Sequence, residues 1–317
     1  PYGVHLFNVM VYVGAVALLY RLVRRSAGGV IALGGAVVLL FFPSLFAWSI
    51  SALKEPLYMG AAVLELLAAV TLVRGKDWRV RAAAVPALIV LALTMEQLRR
   101  GTQMVAALGV VAGLATYWIL QRPGRVFAAV VAAPVLLSLA CLQPPIQQRL
   151  MTVARESIKY HAGHVVSAGV SYKTVDPRVY RDWGLIAQVD GREAARFAIR
   201  SVVAYFVEPL PRNWNSPLLK AYLPEHLVWL LLILLAPFGA LCIAKLDSLL
   251  ASLLLTHAVG IVMMVALTSG NIGTLIRHRD LSLPYLVWFS AAGAVFLLSR
   301  VRRIADVPPG EVIVAHR

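Results

Sequence analysis

The sequence is poor in charge and in cysteine, and both shortages limit what the protein can be. Only 14% of its 317 residues are charged and 60% are hydrophobic, whereas a soluble domain carries about 25% charged residues. The composition therefore excludes a water-soluble globular domain. The two cysteines are Cys141 and Cys242. The apolar stretches described below place them on opposite sides of a membrane, so a disulfide cannot join them.

Motifs of soluble enzymes are also missing. The chain has no GxxxxGK[ST], GxSxG, HExxH or convincing dinucleotide-binding pattern, so we expect neither ATP nor nicotinamide chemistry. No metal-ligand spacing is present, and dependence on a divalent metal stays open. The net charge of +15 is spread over loop ends, which indicates contact with anionic membrane lipids and no binding of nucleic acid.

The sequence is rich in apolar stretches, each about as long as a bilayer is thick. They predict an all-α polytopic integral membrane protein with about nine transmembrane helices. We place six helices in residues 1–142, a large polar loop in 143–226, three helices in 227–299 and a tail in 300–317. The predicted spans are Gly3–Tyr20, Val30–Ser49, Pro56–Val73, Ala82–Leu98, Met104–Leu120, Val126–Leu142, Leu227–Ala244, Leu249–Leu267 and Leu281–Leu298.

Basic residues collect at every second gap between these spans. One set of gaps holds 13 of them: Arg21, Arg24, Arg25, Arg74, Lys76, Arg79, Arg81, Arg122, Arg125, Lys245, Arg300, Arg302 and Arg303. The short gaps between these hold five: Lys54, Arg99, Arg100, Arg277 and Arg279. Basic loops are retained in the cytoplasm during insertion. We therefore predict a cytoplasmic-membrane protein whose N-terminal end lies outside and whose C-terminus and 300–317 tail are cytoplasmic.

The polar segment 143–226 is too long for an idle connection, and two parts of it show helical periodicity. Ile146, Leu150, Val153, Ala154 and Ile158 form one apolar stripe. After Asp190, a candidate N-cap, three arginines share one helix face. They are Arg192, Arg196 and Arg200. Both helices are predicted to lie in the outer membrane interface or simply to cap the bundle.

Two short outer segments carry charge that the insertion rule disfavours there. Lys54 and Glu55 precede the third span, where the helix dipole favours an anion, and Glu55 is also a candidate catalytic carboxylate. Glu96, Arg99 and Arg100 end the fourth span. Paired arginines suit a bidentate phosphate clamp, although they also reach headgroups by snorkelling.

The segment Gly270–Asp280 precedes the last span, and its small residues predict an irregular backbone; the alternative is an ordinary polar loop in which Asp280 is an N-cap. It carries Arg277, His278 and Arg279 in direct succession, a set suited to a lipid phosphate or a diphosphate. A weaker group of candidates lies in the large loop: His161, His164 and Lys173. Histidine serves as a base or a phosphate ligand, but most loop histidines have no chemical role.

Parts of the N-terminal half resemble a known superfamily. They are the stretch from His5-Leu-Phe-Asn8 to Arg24-Arg25, the helix ending Phe42-Pro43-Ser44, and Ser51-Ala-Leu-Lys54-Glu55. Together they resemble the second to fourth helices of the GT-C polytopic glycosyltransferases, in the polyprenyl-phosphate-sugar branch with protein O-mannosyltransferases and aminoarabinose transferases. Lys54 and Glu55 match a basic residue and an Asp of that branch, with Glu in place of Asp.

The resemblance implies sugar transfer from a polyprenyl-phosphate donor to a glycan, lipid or protein acceptor on the outer face. It implies phosphate-binding roles for Lys54, Arg99, Arg100, Arg277 and Arg279. It also implies catalytic or supporting roles for Glu55, Glu96 and His278. The main catalytic acid of that family lies ahead of the point where this chain begins. Because the chain starts at Pro1 with an inward-running helix, we expect a piece of a longer protein.

Two alternatives stay open. An O-antigen polymerase or ligase-like enzyme would use the large loop, with Arg149, Arg155, His161 and His164 at its site. A non-catalytic transporter or assembly subunit would show polar or broken helices near the membrane midplane, and only Glu65, near the middle of the third span, fits that pattern. An ionisable group at such depth is costly and usually faces the bundle interior.

The predicted orientation can be tested by cysteine labelling. Single cysteines at Ser171 and Ser216 should react with an impermeant thiol reagent on intact spheroplasts. A cysteine at Trp78 should react only after lysis, because its gap belongs to the strongly basic set. Labelling of position 78 in intact cells would contradict the orientation.

Overall fold

A computed structural model describes residues 2–167, 169–211 and 217–305 of the chain, with the side chains of 218 and 301–305 left out. Thirteen α-helices and three short 3₁₀ helices account for most of this part. We number the α-helices in chain order: α1 Gly3–Ala27, α2 Gly29–Phe41, α3 Pro43–Ser49, α4 Glu55–Arg74, α5 Trp78–Leu98, α6 Thr102–Leu120, α7 Pro123–Leu142, α8 Pro144–Val165, α9 Gly191–Val207, α10 Pro217–Leu246, α11 Ser248–Thr268, α12 Ile272–Arg279 and α13 Leu283–Ala305. The 3₁₀ helices are Pro177–Tyr180, Trp183–Gln188 and Asp280–Ser282.

Eight segments of the described chain are long and apolar enough to cross a membrane, and a ninth is obtained if the bent pair α2–α3 counts as one span. The protein is therefore an all-α polytopic membrane protein, as the apolar stretches predict. The predicted second span breaks at Phe42, where the chain bends by 65°. Pro43 begins the new helix, because proline lacks the N–H that would continue the old one.

Close backbone contact through glycine holds the C-terminal helices together. A Cβ atom on Gly239 of α10 would lie 1.7 Å from the carbonyl oxygen of Phe289, and one on Gly293 of α13 would lie 2.1 Å from that of Leu235. Small residues allow membrane helices to approach this closely. On the other side of the bundle, Gly109 and Gly113 of α6 make room for side chains of α11.

Segment 143–211 gathers at one end of the bundle, which we call the loop face. Its helices α8 and α9 pack around their own apolar core, which includes Ile158, Val179 and Phe197. Both predicted amphipathic helices are present, and the Asp190 side chain accepts a hydrogen bond from the Glu193 N–H at 2.7 Å. At the opposite face, Arg74 of α4 donates to Asp247 ahead of α11 at 2.5 and 2.9 Å.

Two local predictions are wrong. Residues 270–280 do not form an irregular loop, because Asn271 caps the short helix α12 by accepting from the Gly273 N–H at 2.9 Å. Asp280 does not cap the last span; it follows α12 and is buried. Residues 161–164, predicted to be irregular, belong to α8. Ser216 and most of the predicted tail 300–317 lie outside the described residues.

The α10–α13 crossing gives a stability prediction. Gly239→Ala should force the two backbones apart and lower the free energy of unfolding by about 1–3 kcal/mol, or more. Thermal unfolding in detergent should show a lower midpoint. Gly14→Ala is the matched control, because nothing lies within 4 Å of a Cβ there. Equal midpoints for the two variants would contradict the close crossing.

Candidate functional site

An ion pair at the loop face joins two segments that are far apart in the sequence. Arg277 of α12 donates to Oε1 of Glu55 from Nε at 3.0 Å and from Nη2 at 2.6 Å. The Glu55 side chain is 8% exposed and that of Arg277 is 43% exposed. Because one carboxylate oxygen takes both bonds, Oε2 of Glu55 has no hydrogen-bond partner, and Nη1 of Arg277 is left for another ligand.

Further basic groups surround this pair. Lys54, Glu55 and Arg99 line one small gap at the surface. Arg99 lies within electrostatic range of both Glu55 and Arg277, and His278 lies within range of Lys54, Arg99 and Arg277. Burial lowers the pKa of Arg99 and nearby Glu55 opposes that change, but a guanidinium stays charged. Three permanent cations therefore surround one carboxylate.

The ends of three helices set these positions. Glu55 begins α4, where Pro56 fits the first turn and the helix dipole favours the carboxylate. Arg99 follows α5 in a tight turn that Gly101 completes in the left-handed region, with φ of 86°. Arg277 lies in the last turn of α12.

The structure does not bring Glu96 and Arg100 into this cluster. The Glu96 carboxylate accepts from the Gly101 N–H at 2.8 Å and from the Gln103 N–H at 3.2 Å. It therefore caps α6 and fixes the turn that holds Arg99. The Arg100 side chain is exposed to the surroundings, as expected for an arginine that reaches lipid headgroups.

Arg279 lies on the other side of α12 from Arg277 and points into the protein. Its side chain is 1% exposed and lies over the rings of Trp229 and Tyr205, 4.7 and 5.6 Å from their centroids. Nη2 donates to the Glu208 carbonyl oxygen at 2.7 Å. Arg279 therefore holds α9, α10 and α12 together, and it cannot reach a phosphate beside Arg277 without leaving this position.

A cleft of about 430 Å³ begins at Arg277 and contains residues that the sequence analysis did not select. Ser44, Trp48 and Tyr222 line it together with Asn271. The Ser44 hydroxyl donates to the buried carboxylate of Asp280. The sequence contained one signal for these residues. Pro43 predicts a helix break, and the break turns Ser44 and Trp48 toward this end of the bundle.

Buried carboxylate groups extend this polar region beneath the cleft. Glu225 of α10 is 8% exposed and lies next to Ser44 and within electrostatic range of Arg279 and Asp280. Its Oε1 atom has no hydrogen-bond partner. The hydropathy pattern predicts that Glu225 lies in the large loop, because the apolar run begins only at Leu227, whereas α10 begins at Pro217.

The loop histidines and lysine lie apart from Glu55. His161 is fully buried, with Nδ1 2.6 Å from the Ser269 carbonyl oxygen and Nε2 2.9 Å from the Thr174 hydroxyl. His161 therefore joins the loop unit to the bundle. His164 lies within electrostatic range of His278, whereas Lys173 is exposed and lies over the Tyr180 ring.

The arginine stripe of α9 forms a separate polar groove of about 470 Å³ on the loop unit. Arg192, Arg196 and Arg200 line it, and Asp176, Asp190 and Glu193 lie between them. Because the acidic residues nearly balance the arginines, this groove attracts anions less strongly than the cluster at Arg277.

Comparisons with known proteins yield no relative. No family model, curated protein or solved structure matches the chain. Within the described residues, no group of three or more His, Cys, Asp or Glu side chains is placed to hold a metal ion.

His161 gives a pH prediction. Burial lowers its pKa from 6.5 to about 4, so the unfolded chain binds more protons than the folded protein between these values. The free energy of unfolding should fall by up to about 3 kcal/mol as the pH drops through this window. Thermal unfolding of His161→Gln in detergent should show a weaker pH dependence than wild type. Parallel pH profiles would contradict this role.

Proposed function

We propose that this protein is a membrane glycosyltransferase that takes a sugar from a polyprenyl-phosphate donor and transfers it to an acceptor at the loop face. The observation that supports this best is the meeting of Lys54, Arg99 and Arg277 around Glu55. These residues come from three segments, and together they carry more positive charge than Glu55 neutralises. A lipid phosphate supplies the missing negative charge.

Arg277 can bind a phosphate while it keeps its carboxylate partner Glu55. Its Nε and Nη2 atoms are used by Glu55, which fixes the plane of the guanidinium. The Arg277 side chain is 43% exposed, and Arg99 lies within electrostatic range. Guanidinium groups bind phosphate oxygens strongly and keep their charge at every physiological pH.

The adjoining cleft suits a sugar. At about 430 Å³ it falls within the size range of small-molecule sites. Trp48 and Tyr222 supply aromatic surface for the apolar face of a sugar ring. Arg277 also lines this cleft, so one substrate reaches both the phosphate-binding cations and the aromatic residues.

The apolar part of such a donor needs a place in the membrane. A groove of about 460 Å³ lies between α9, α10, α11 and α13 and is almost wholly apolar. Phe206 lines this groove and packs against Tyr205, the aromatic ring next to the Arg279 side chain. A polyprenyl chain fits this chemistry, because isoprene units bury only hydrocarbon.

The proposed reaction is a displacement at the anomeric carbon. The acceptor oxygen forms a bond to that carbon, and the bond from the carbon to the phosphate oxygen breaks. The departing lipid phosphate keeps the electron pair, and Arg277 and Arg99 stabilise its charge. A carboxylate accepts the proton of the acceptor hydroxyl. Glu55, whose Oε2 has no hydrogen-bond partner, supports this step.

This proposal includes the orientation given by the charge distribution, with the loop face outside the cytoplasmic membrane. The polymerase-like alternative has less support from the geometry. It needs reactive histidines in the large loop, whereas both ring nitrogens of His161 are already used in contacts within the protein.

The phosphate-binding role predicts different outcomes for neighbouring arginines. Arg277→Ala and Arg99→Ala should each weaken binding of polyprenyl phosphate by about 2–5 kcal/mol, because a desolvated phosphate loses its partner. Arg277→Lys should recover only part of the affinity. Arg100→Ala is the matched control and should bind as wild type does. Native mass spectrometry or fluorescence titration in nanodiscs measures the affinity. Unchanged binding by the Arg277→Ala/Arg99→Ala double variant would refute the role.

Substitution of Arg279 should change the stability of the protein, because its side chain is buried and does not face the proposed phosphate site. Arg279→Ala removes a buried cation from its aromatic neighbours and leaves the Glu208 carbonyl without its donor, so we expect a loss of about 3–5 kcal/mol in stability. Thermal unfolding of the detergent-solubilised protein should show this, whereas Arg100→Ala, at an exposed side chain, should lose far less. Equal stability of the two variants would contradict the burial of the Arg279 side chain.

A further inference from the structure

Two ionisable side chains face each other inside the membrane. The proposed reaction uses neither of them. Glu65 belongs to α4 and His257 to α11, and their side chains are 1% and 0% exposed. His257 Nε2 lies 3.6 Å from Glu65 Oε2. Ionisable groups at such depth are costly, and they usually have a functional role.

The imidazole ring of His257 is held in one orientation. Nδ1 lies 2.7 Å from the Leu253 carbonyl oxygen, and because a carbonyl only accepts, Nδ1 carries a hydrogen. The Tyr285 ring stacks on the imidazole, with centroids 5.3 Å apart and planes 14° apart. Gly109 leaves the space for the ring, since a Cβ there would lie 2.7 Å from Nε2. These contacts direct Nε2 toward Glu65.

This orientation requires a proton between the two side chains. With Nδ1 already donating, an unprotonated Nε2 and a carboxylate oxygen are both acceptors and repel each other. No hydrogen-bond donor reaches Glu65 Oε2, so an ion pair here would lack the extra hydrogen bonds that buried charges need. A neutral carboxyl group donating to Nε2 satisfies both atoms once they approach by about 0.5–0.9 Å.

Two tyrosines near this pair line a cleft that also contains Glu55. Tyr58 of α4 and Tyr285 of α13 lie within electrostatic range of Glu65, and neither hydroxyl has a hydrogen-bond partner. Both residues line a narrow cleft that also contains Glu55 and Ala62. Arg99 is the cation within range of Tyr58.

The other side of the pair is mostly closed by apolar packing. Leu66 of α4 and Leu250 and Leu253 of α11 are fully buried. Two polar residues of α11 lie among them. The Thr256 hydroxyl donates to the Gly109 carbonyl oxygen of α6 at 2.7 Å, and Ser252, one helical turn before Thr256, is buried. The nearest ion pair beyond them, Arg74 with Asp247, lies at the opposite face.

We propose that Glu65 and His257 form a proton-binding site in the membrane interior, and that its proton exchanges with the loop face through the hydroxyls of Tyr58 and Tyr285. Glu65 and Glu55 are ten residues apart on α4, about 15 Å along its axis. A change in the proton-binding site therefore acts on the same helix that presents Glu55 to Arg277.

Infrared spectroscopy of the protein in nanodiscs tests this site without any assay of transfer activity. Wild type should show the carbonyl stretch of a protonated carboxyl, which disappears in Glu65→Gln and shifts in His257→Gln. After transfer to D₂O, the deuterium shift of this band should be several-fold slower in Tyr58→Phe and in Tyr285→Phe. Tyr20→Phe, near the opposite face on α1, is the control and should exchange at the wild-type rate.

The results are decisive in either direction. Absence of a Glu65-dependent carboxyl band would overturn the proton-binding site. A band that exchanges equally fast in wild type, Tyr58→Phe and Tyr285→Phe would overturn the route through the tyrosines. Because Gln is close in size to Glu and still donates to Nε2, Glu65→Gln should fold, and His257→Gln gives an independent assignment of the band.

Discussion

The ion pair between Glu55 and Arg277 is the interaction on which the functional region depends. It connects the first turn of α4 to the last turn of α12, 222 positions apart in the sequence. It fixes the guanidinium plane of Arg277 while leaving one edge of that group available. Without Glu55, three cations would face one another at this end of the bundle, and their repulsion would open the region that we propose as the phosphate site.

The bundle supports this pair through close packing. Glycines allow α10 and α13 to approach at Gly239 and Gly293 and allow His257 of α11 to fit against Gly109 of α6. Arg279, on the opposite side of α12 from Arg277, anchors that helix among Trp229, Tyr205 and the Glu208 carbonyl oxygen. Two arginines of the short helix α12, two positions apart, therefore have different roles: Arg279 is structural and Arg277 is a candidate ligand-binding residue.

The fold class and most spans were predictable from sequence, because a bilayer imposes length and hydrophobicity on each helix. The amphipathic helix after Asp190 was also predictable, because its cap and its stripe are both local features. Glu55, Arg99 and Arg277 were candidates because their charges fall in outer segments of the sequence. The distances between them depend on how α4, α5 and α12 pack, and one sequence does not encode those distances in any local pattern.

The missed or misplaced residues share a physical cause. His161 looked like a reactive loop residue but lies in a helix core, because α8 continues past the polar residues that suggested its end. Glu225 lies on α10 rather than in the large loop, because that helix begins ten residues before its apolar run. His257 was not selected because nothing near it in sequence identifies Glu65 as its partner.

The most direct test of the account is an experimental structure of the protein in nanodiscs with polyprenyl phosphate bound. The account predicts the phosphate within ion-pair distance, about 4 Å, of Arg277 and Arg99, with Glu55 still bound to Arg277. A phosphate bound instead in the groove of Arg192, Arg196 and Arg200, with no lipid density at Arg277, would contradict it.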